Sequence, residues 1–296
     1  MTSQVASQTM EALAQAYPFI RKELLATTAF GRPIWALSIG NGPRNVLYAA
    51  SFHANEWITT AILLQFVEDY AQAVVTGGTI SGQDARELFD FAAIHLVPMV
   101  NPDGVDLVTG VLQPGDEQYE RALALARNYP NIPFPDGWKA NLLGTDLNLN
   151  WPAGWLRARE IKFSQGYTRP GPRDYVGRFP LDQIEAQALY DYTYRIDPAL
   201  VLAWHTQGEV IYWQYGDIEV PGARELAERF AALSGYELED VPFNSSFAGY
   251  KDWFIQTFRR PGFTIEAGSG TNPLPVSQFP EIYAAAAPIL VSAALG

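Results

Sequence analysis

The residues of this sequence whose types and spacing best suit chemistry are His53 and Glu56, which lie three positions apart. A strand-like apolar run at residues 46–51 precedes them, and a helix-like pattern begins near Trp57. Side chains three positions apart in or beside a first helical turn can point toward one spot, and imidazole and carboxylate groups are common zinc ligands. The pair therefore predicts part of a zinc site, although the same spacing is also common in surface turns.

A zinc site needs a third protein ligand, and the composition restricts which residues can supply it. The chain has three histidines and no cysteine, so His, Asp and Glu are the strong ligands available. His205 ends the apolar run 200–205 and is predicted to be the third ligand, whereas His95 lies inside a strand-like run and is assigned a structural role. Three protein ligands and a fourth position for water are the usual arrangement of catalytic zinc.

Glu266 is the candidate general base. It ends the strand-like run 262–266, and a carboxylate after a buried strand is costly unless it is paired or functional. Zinc lowers the pKa of a bound water to about 7, so a carboxylate beside that water can take its proton. The two histidines and two glutamates together predict a hydrolytic zinc site.

Strand-like and helix-like runs alternate along the chain, which is typical of an α/β domain with a largely parallel, buried sheet. In such sheets ligands bind beyond the carboxyl ends of the strands, where His53, His205 and Glu266 would meet. Predicted helices cover residues 7–25, 59–74, 81–89, 181–195, 221–234, 252–258 and 279–295; a hairpin covers 27–39; further strands cover 46–51, 92–100, 200–205 and 262–266; residues 109–178 show little periodicity. We expect one catalytic domain, residues 26–296, with a helical segment, residues 1–25, packed against it.

Charge and hydropathy exclude several classes of function. The chain has 20 basic and 32 acidic residues, a net charge of −12 and no block rich in Lys and Arg, so we expect no nucleic-acid partner. The N-terminus lacks the pattern of a secretory signal, and the longest apolar tail, residues 283–295, is shorter than the about 20 residues that span a bilayer. We expect a cytoplasmic protein without a membrane partner, although release to the cell wall stays open.

Six short motifs follow one another along the chain. They are Gly31-Arg32-Pro33-Ile34, His53-x-x-Glu56, Asn101-Pro102-Asp103-Gly104, Asp146-Leu147-Asn148, Trp204-His205 and Thr264-Ile265-Glu266. Their order and rough spacing resemble those of zinc metallocarboxypeptidases of the pancreatic carboxypeptidase type, and the resemblance extends from about Ala26 to the C-terminus.

This resemblance implies a fold and a set of roles. The fold is an α/β/α sandwich with a mixed, largely parallel eight-stranded sheet. The roles are one Zn²⁺ on His53, Glu56 and His205, with Glu266 as base and later acid. Asp146 matches the acidic residue that holds a ligating imidazole from behind and fixes its tautomer.

Several positions depart from the pattern of the family and bear on the substrate. Asn148 is followed by Leu149, where carboxypeptidases have the arginine that grips the substrate's terminal carboxylate, so ordinary C-terminal exopeptidase activity is not expected. Lys139 stands in place of the oxyanion-stabilising arginine. Alignment backwards from Glu266 without a gap puts Asn244 in place of the tyrosine of the mobile loop.

Lys251 occupies the position that sets side-chain specificity, where digestive members of the family usually have neutral or acidic residues. A lysine there predicts a substrate side chain that ends in a carboxylate; the alternative is a solvated surface charge. These departures, together with residues 151–155, 171–175 and 268–273, resemble the bacterial branch that cleaves γ-D-glutamyl-L-diamino acid bonds in cell-wall peptides. Lys251 would then bind the distal carboxylate of meso-diaminopimelate.

For the remaining substrate contacts, the sequence offers several candidate residues. Asn148, Asn244 and Arg173 are candidate substrate-binding residues. Arg173 belongs to a group of five arginines in the irregular stretch that could bind substrate carboxylates, which are Arg157, Arg159, Arg169, Arg173 and Arg178.

Two other functions compete with a cell-wall peptidase. One is a zinc amidohydrolase of small acyl-amino acids, against which the long aromatic stretch 138–175 indicates an extended peptide cleft. The other is a non-catalytic module that binds muropeptides, against which the complete set of ligands and base indicates an enzyme.

Overall fold

The alternating pattern folds into one large sheet in the computed structural model, which describes all residues, 1–296. The ten strands are β1 (Arg21–Thr27), β2 (Pro33–Ile39), β3 (Arg44–Ala50), β4 (Thr79–Ile80), β5 (Gln83–Asp84), β6 (Ala92–Val97), β7 (Val201–His205), β8 (Val210–Tyr212), β9 (Glu237–Leu238) and β10 (Gly262–Glu266). Eight of them form a sheet in the order β1-β2-β6-β3-β7-β10-β8-β9, while β4 and β5 form a separate hairpin. The neighbours β6–β3, β3–β7 and β7–β10 are parallel and β1–β2, β2–β6 and β10–β8 are antiparallel, so the predicted mixed sheet is confirmed.

Helices cover both faces of this sheet. They are α1 (Ser3–Ala16), α2 (Ile58–Thr76), α3 (Ala85–Phe91), α4 (Pro102–Val108), α5 (Glu117–Ala126), α6 (Trp155–Ser164), α7 (Ile184–Ile196), α8 (Ala223–Ser234), α9 (Tyr250–Phe258) and α10 (Phe279–Leu295). One core joins α1, α2, α3, α8 and α10 to one face of the sheet, and a second joins α7 and α9 to the other. Along β3, Val46 and Tyr48 face the first core and Leu47 and Ala49 the second, because successive side chains of a strand point to opposite faces. The predicted α/β/α sandwich is confirmed.

The N-terminal elements differ from the prediction. Helix α1 ends at Ala16 rather than near residue 25, and Arg21–Thr27 forms β1 at the edge of the sheet. Pro18 follows the helix, and a proline cannot supply the N–H that continued helical bonding needs. Strand β1 is mostly exposed, so its polar residues gave no apolar run to recognise. The boundary predicted at residue 25 therefore falls inside a strand of the sheet.

Some helices begin or lie where the sequence pattern did not place them. The helix predicted at residues 81–89 begins at Ala85, because the Asp84 carboxylate accepts hydrogen bonds from the N–H groups of Arg86 and Glu87 and caps it there. Helices α5 and α6 lie within the stretch that shows little periodicity. In α6, charged residues alternate with apolar ones, so the sequence shows no apolar face with helical period.

The C-terminal helix carries the longest apolar segment. Val276–Leu295 is long and apolar enough to cross a membrane by length and composition, and it is longer than the tail recognised in the sequence. In the structure, Ile282, Ile289 and Leu290 are buried in the larger core, and Tyr48 Oη donates a hydrogen bond to the Leu290 carbonyl at 2.7 Å. Packing against the sheet therefore buries part of the apolar surface of this helix.

The remaining histidine, His95, is held inside the fold. It lies on β6, where its Nδ1 is 2.8 Å from Tyr192 Oη, and burial lowers its pKa to about 4. The folded protein therefore keeps His95 neutral at a pH where the unfolded chain would protonate it.

We expect this histidine to make stability depend on pH. Between about pH 4 and the usual histidine pKa of about 6.5, the unfolded chain binds a proton that the folded state does not, so the free energy of unfolding falls as the pH is lowered. His95→Gln, which does not titrate there, should show a smaller fall. Urea unfolding of both proteins across this range measures the difference, and parallel curves would contradict the expectation.

Candidate metal centre

Three predicted site residues lie at the carboxyl ends of neighbouring parallel strands. His205 is the last residue of β7, and its partner across the sheet is Glu266, the last residue of β10. His53 lies just beyond the end of β3, which pairs in parallel with β7. The parallel strands thus bring residues that are far apart in the sequence to one edge of the sheet, as the strand pattern predicts.

Glu56 completes a cluster with the two histidines. It lies in a 3-10 turn, Ala54–Glu56, before α2 and is 1% exposed. Its Oε1 is 2.9 Å from His53 Nδ1, its Oε2 is 2.9 Å from His205 Nδ1, and the two Nδ1 atoms are 3.2 Å apart. Ligand atoms at 2.0–2.1 Å from a tetrahedral zinc are about 3.3 Å from one another. The spacing therefore fits the predicted ligand set for one Zn²⁺.

The outward nitrogen of His53 is held by the predicted carboxylate. His53 Nε2 is 3.1 Å from Asp146 Oδ1, so Nδ1 is left to face the cluster. Asp146 is fixed in turn, because its two oxygens accept hydrogen bonds from the N–H groups of Asn148 and Asp174 at 3.1 and 3.2 Å. A ligating imidazole held in this way keeps one tautomer and one orientation.

Burial and mutual charge set the protonation of the cluster. Burial alone would lower the pKa of His53, but Glu56 and Asp146 raise it to about 9. Burial and the charge of Glu56 raise the pKa of Glu266 to about 8. Zinc binds neutral imidazole, so its binding must displace the proton that His53 holds.

Lys139 reaches the cluster from the segment between α5 and α6. Its Nζ donates a hydrogen bond to Glu56 Oε1 at 2.9 Å. Its carbonyl accepts hydrogen bonds from the Ala54 N–H at 3.0 Å and from Asn101 Nδ2 at 3.3 Å. Asn101 belongs to the third sequence motif, and its side chain fixes the Lys139 segment against the turn that carries the ligand pair.

Two clefts meet at Glu266. The smaller, of about 240 Å³, contains His53 and extends to Lys162 and Lys251. The larger, of about 800 Å³, extends past Asn272. Four residues line both clefts, namely Lys139, Arg173, Tyr212 and Glu266. A peptide that passes from one cleft to the other therefore crosses the candidate base.

Not all of the predicted substrate-binding residues line a cleft. Asn148, Arg173 and Lys251 all line the smaller cleft. Asn244 is exposed and lines neither cleft, although its neighbour Ser245 lines the smaller one. The prediction for Asn244 thus has no support from the structure, although the loop that carries it borders the smaller cleft.

Lys251 lines the smaller cleft but is buried, and its charge has partners within the protein. It is 4% exposed, so it is not a solvated surface charge. Its Nζ donates hydrogen bonds to Asp252 Oδ1 at 2.6 Å and to the Gln214 carbonyl at 2.5 Å. Its charge is therefore already paired within the protein.

Sequence reasoning missed other residues of the site. Asn272 Nδ2 lies 3.5 Å from Glu56 Oε1, and Thr206 Oγ1 donates a hydrogen bond to Asn272 Oδ1 at 2.7 Å. Tyr212 and Lys162 line the clefts from β8 and α6. Asn272 lies in the segment 268–273 that helped to carry the resemblance, whereas no local pattern marks Tyr212 or Lys162.

Comparison with known sequences identifies relatives over most of the chain. The profile of the zinc carboxypeptidase family matches residues 6–287. The γ-D-glutamyl-L-diamino acid endopeptidase 1 of Lysinibacillus sphaericus is 47% identical over 92% of this chain, and the match spans 66% of that protein. An uncharacterized protein of Bacillus subtilis is 38% identical over 93% of this chain and 72% of its own length.

Solved structures show the same fold at low sequence identity. The carboxypeptidase A of Helicoverpa armigera has a TM-score of 0.73 at 17% identity, and the match covers 100% of this chain and 74% of that one. The murein-tripeptide amidase of Escherichia coli O157 has a TM-score of 0.56 at 20% identity, covering 92% of this chain and 91% of that one. Both matches support the assigned architecture.

We expect the purified protein to hold about one zinc ion per chain, since three donor atoms converge on one point. His53→Ala and His205→Ala each remove one donor and should lower the zinc content at least tenfold after dialysis against zinc-free buffer. His95→Ala is the matched control, because its ring bonds to Tyr192 outside the cluster. Mass spectrometry of bound metal measures the content, and a control that loses as much zinc as the other two would contradict the site.

Proposed function

We propose a substrate for this chain. The chain belongs to the zinc carboxypeptidase family and is a zinc-dependent peptidase. The substrate is a bacterial cell-wall peptide, cleaved at the bond between γ-D-glutamate and an L-diamino acid, in particular meso-diaminopimelate. The observation that carries the proposal is the 47% identity, over 92% of the chain, to a protein named for this reaction. The structure of the clefts supports it in two further ways.

The first support is the lack of a clamp for a C-terminal carboxylate at the position that the family uses. Leu149 is 8% exposed and packs in a small apolar cluster with Trp155 and Val176. An apolar side chain in that position cannot bind a carboxylate. A substrate that is held through other groups therefore fits this cleft better than a plain C-terminal peptide.

The second support is an arginine side chain in the clefts whose terminal nitrogens have no partner within the protein. Of the five candidate arginines, Arg173 is the one that lines the two clefts. Its Nε donates a hydrogen bond to Asp174 Oδ2 at 2.7 Å, and the structure gives no protein partner to its two terminal nitrogens. Arg173 lines both clefts, as Glu266 does, and these nitrogens are free for a carboxylate of the substrate.

The residues of the site divide the work of amide hydrolysis. Zinc held by His53, Glu56 and His205 would polarise the scissile carbonyl and lower the pKa of the attacking water. Glu266 takes the proton of that water as the new C–O bond forms, and Lys139 places a positive charge where the carbonyl oxygen becomes negative. Glu266 then gives the proton to the leaving nitrogen as the C–N bond breaks.

We expect Glu266→Gln to bind zinc like the wild type and to lose activity. The amide keeps the shape of the side chain but cannot take the proton, and loss of a positioned base typically lowers the rate about 10²- to 10⁴-fold. Measuring kcat together with the zinc content separates the two effects. A variant with full zinc and more than a tenth of the wild-type rate would refute the role of Glu266.

The substrate assignment is tested by the products released from a defined peptide. With L-Ala-γ-D-Glu-meso-diaminopimelyl-D-Ala we expect L-Ala-D-Glu and meso-diaminopimelyl-D-Ala, identified by mass spectrometry. A peptide that ends in α-linked L-Phe is the control and should remain intact, because Leu149 offers no carboxylate clamp. Release of D-Ala alone, or cleavage only of the control or of small acyl-amino acids, would contradict the proposal. Binding of the peptide by zinc-loaded protein without cleavage would favour a muropeptide-binding module.

A further inference from the structure

A buried lysine, Lys162, lines the smaller cleft away from the zinc ligands. Lys162 lies near the end of α6 and is 7% exposed. Its Nζ donates a hydrogen bond to Asp174 Oδ1 at 2.6 Å. A buried ammonium is costly unless it is paired, and here one carboxylate oxygen is its protein partner.

That carboxylate is shared between two cations. Asp174 Oδ1 accepts from Lys162, and Oδ2 accepts from Arg173 Nε at 2.7 Å. Two positive groups and one negative group leave this cluster, Lys162–Asp174–Arg173, with one net positive charge. An ammonium has three donors, and Lys162 uses one of them on the protein, so two remain for a ligand.

The second lysine of the same cleft is different. Lys251 donates to both Asp252 and the Gln214 carbonyl, so its charge is neutralised and two of its three donors are used. Both lysines line the smaller cleft, but only the Lys162–Asp174–Arg173 cluster keeps a surplus of charge there. An anionic group of a ligand is therefore better accommodated at Lys162 than at Lys251.

The cluster is connected rigidly to the metal centre. The Asp174 N–H donates to Asp146 Oδ2 at 3.2 Å, and Asp146 Oδ1 lies 3.1 Å from His53 Nε2. Asp174 has a φ of 64°, in the left-handed region that residues other than glycine rarely adopt. Strained backbone of this kind persists where the surrounding contacts hold it and is frequent at binding sites. The position of Asp174, and with it that of Lys162, is thus fixed relative to a metal ligand.

The sizes of the clefts indicate which part of the substrate meets Lys162. A cleft of about 240 Å³ has room for one amino-acid residue, whereas the cleft of about 800 Å³ can take a longer piece of peptide. Lys162 lines only the smaller one, together with Asn148 and Lys251. A substrate residue that occupies the smaller cleft can therefore contact Lys162, which lines it.

We propose that the Lys162–Asp174–Arg173 cluster binds the distal carboxylate of the diamino acid residue, and that Lys162, rather than Lys251, selects diaminopimelate over lysine. This inference rests on the proposed function, since it concerns the residue released in that reaction. Diaminopimelate differs from lysine by this carboxylate alone. The surplus positive charge attracts this carboxylate. It repels the ammonium of a lysine side chain, which has no neighbouring carboxylate, so both effects favour diaminopimelate over lysine.

The test compares two peptides, L-Ala-γ-D-Glu-meso-diaminopimelate and L-Ala-γ-D-Glu-L-Lys, by their values of kcat/KM. A hydrogen bond to a charged group contributes enough to change affinity by about 10- to 100-fold. Lys162→Met should therefore lower the ratio of diaminopimelate to lysine cleavage by at least about tenfold. Lys251→Met, the matched control from the same cleft, should leave that ratio within about threefold of the wild type.

A second variant separates recognition from folding. Lys162→Arg keeps the positive charge and should restore most of the ratio, whereas a purely structural role would lower kcat/KM equally for both peptides. An unchanged ratio in Lys162→Met, or a collapse of the ratio in Lys251→Met, would overturn the proposal.

The proposed function and this inference fail in different ways. If wild-type protein cleaves neither peptide, the proposed function fails. Calorimetric titration with free meso-diaminopimelate and L-lysine then decides the inference, because wild type should bind diaminopimelate at least about tenfold more tightly than Lys162→Met does. Equal affinity in the two proteins would overturn it.

Discussion

The structure depends on the burial of one carboxylate, Glu56, among three nitrogen groups. It is 1% exposed and lies within 2.9 Å of His53 Nδ1, His205 Nδ1 and Lys139 Nζ. A charge removed from water in this way is tolerated only where opposite charges and hydrogen bonds replace the water. His205 and Lys139 come from distant parts of the chain, so they reach Glu56 only when the chain has folded. A zinc ion at the centre of the cluster would satisfy the same donors that now face one another.

Hydrogen bonds extend this constraint from the metal centre into the substrate cleft. Asp146 connects His53 to the backbone of Asp174, and Asp174 connects in turn to Lys162 and Arg173. Groups that bind the metal and groups that face the substrate are thereby held in one network. Such preorganisation places charges before the substrate arrives, which is the main source of electrostatic catalysis.

Much of the site could be predicted from the sequence because its essential residues stand at the ends of buried strands. Apolar runs reveal such strands, and parallel strands place their carboxyl ends together, which is enough to bring His53, His205 and Glu266 to one edge. The edge strand β1 was mistaken for helix because an exposed strand has no apolar run. The partners of Lys251 and Lys162 could not be predicted, since tertiary contacts determine them and local spacing does not encode these contacts.

The central claim is that the two Nδ1 atoms and a Glu56 oxygen hold a single metal ion. Crystals of the zinc-loaded protein, measured on both sides of the zinc absorption edge, test this most directly through the anomalous difference map. We expect one strong peak at about 2.0–2.2 Å from His53 Nδ1, His205 Nδ1 and an oxygen of Glu56. A peak bound through Nε2 of either histidine, or one located outside this cluster, would contradict it.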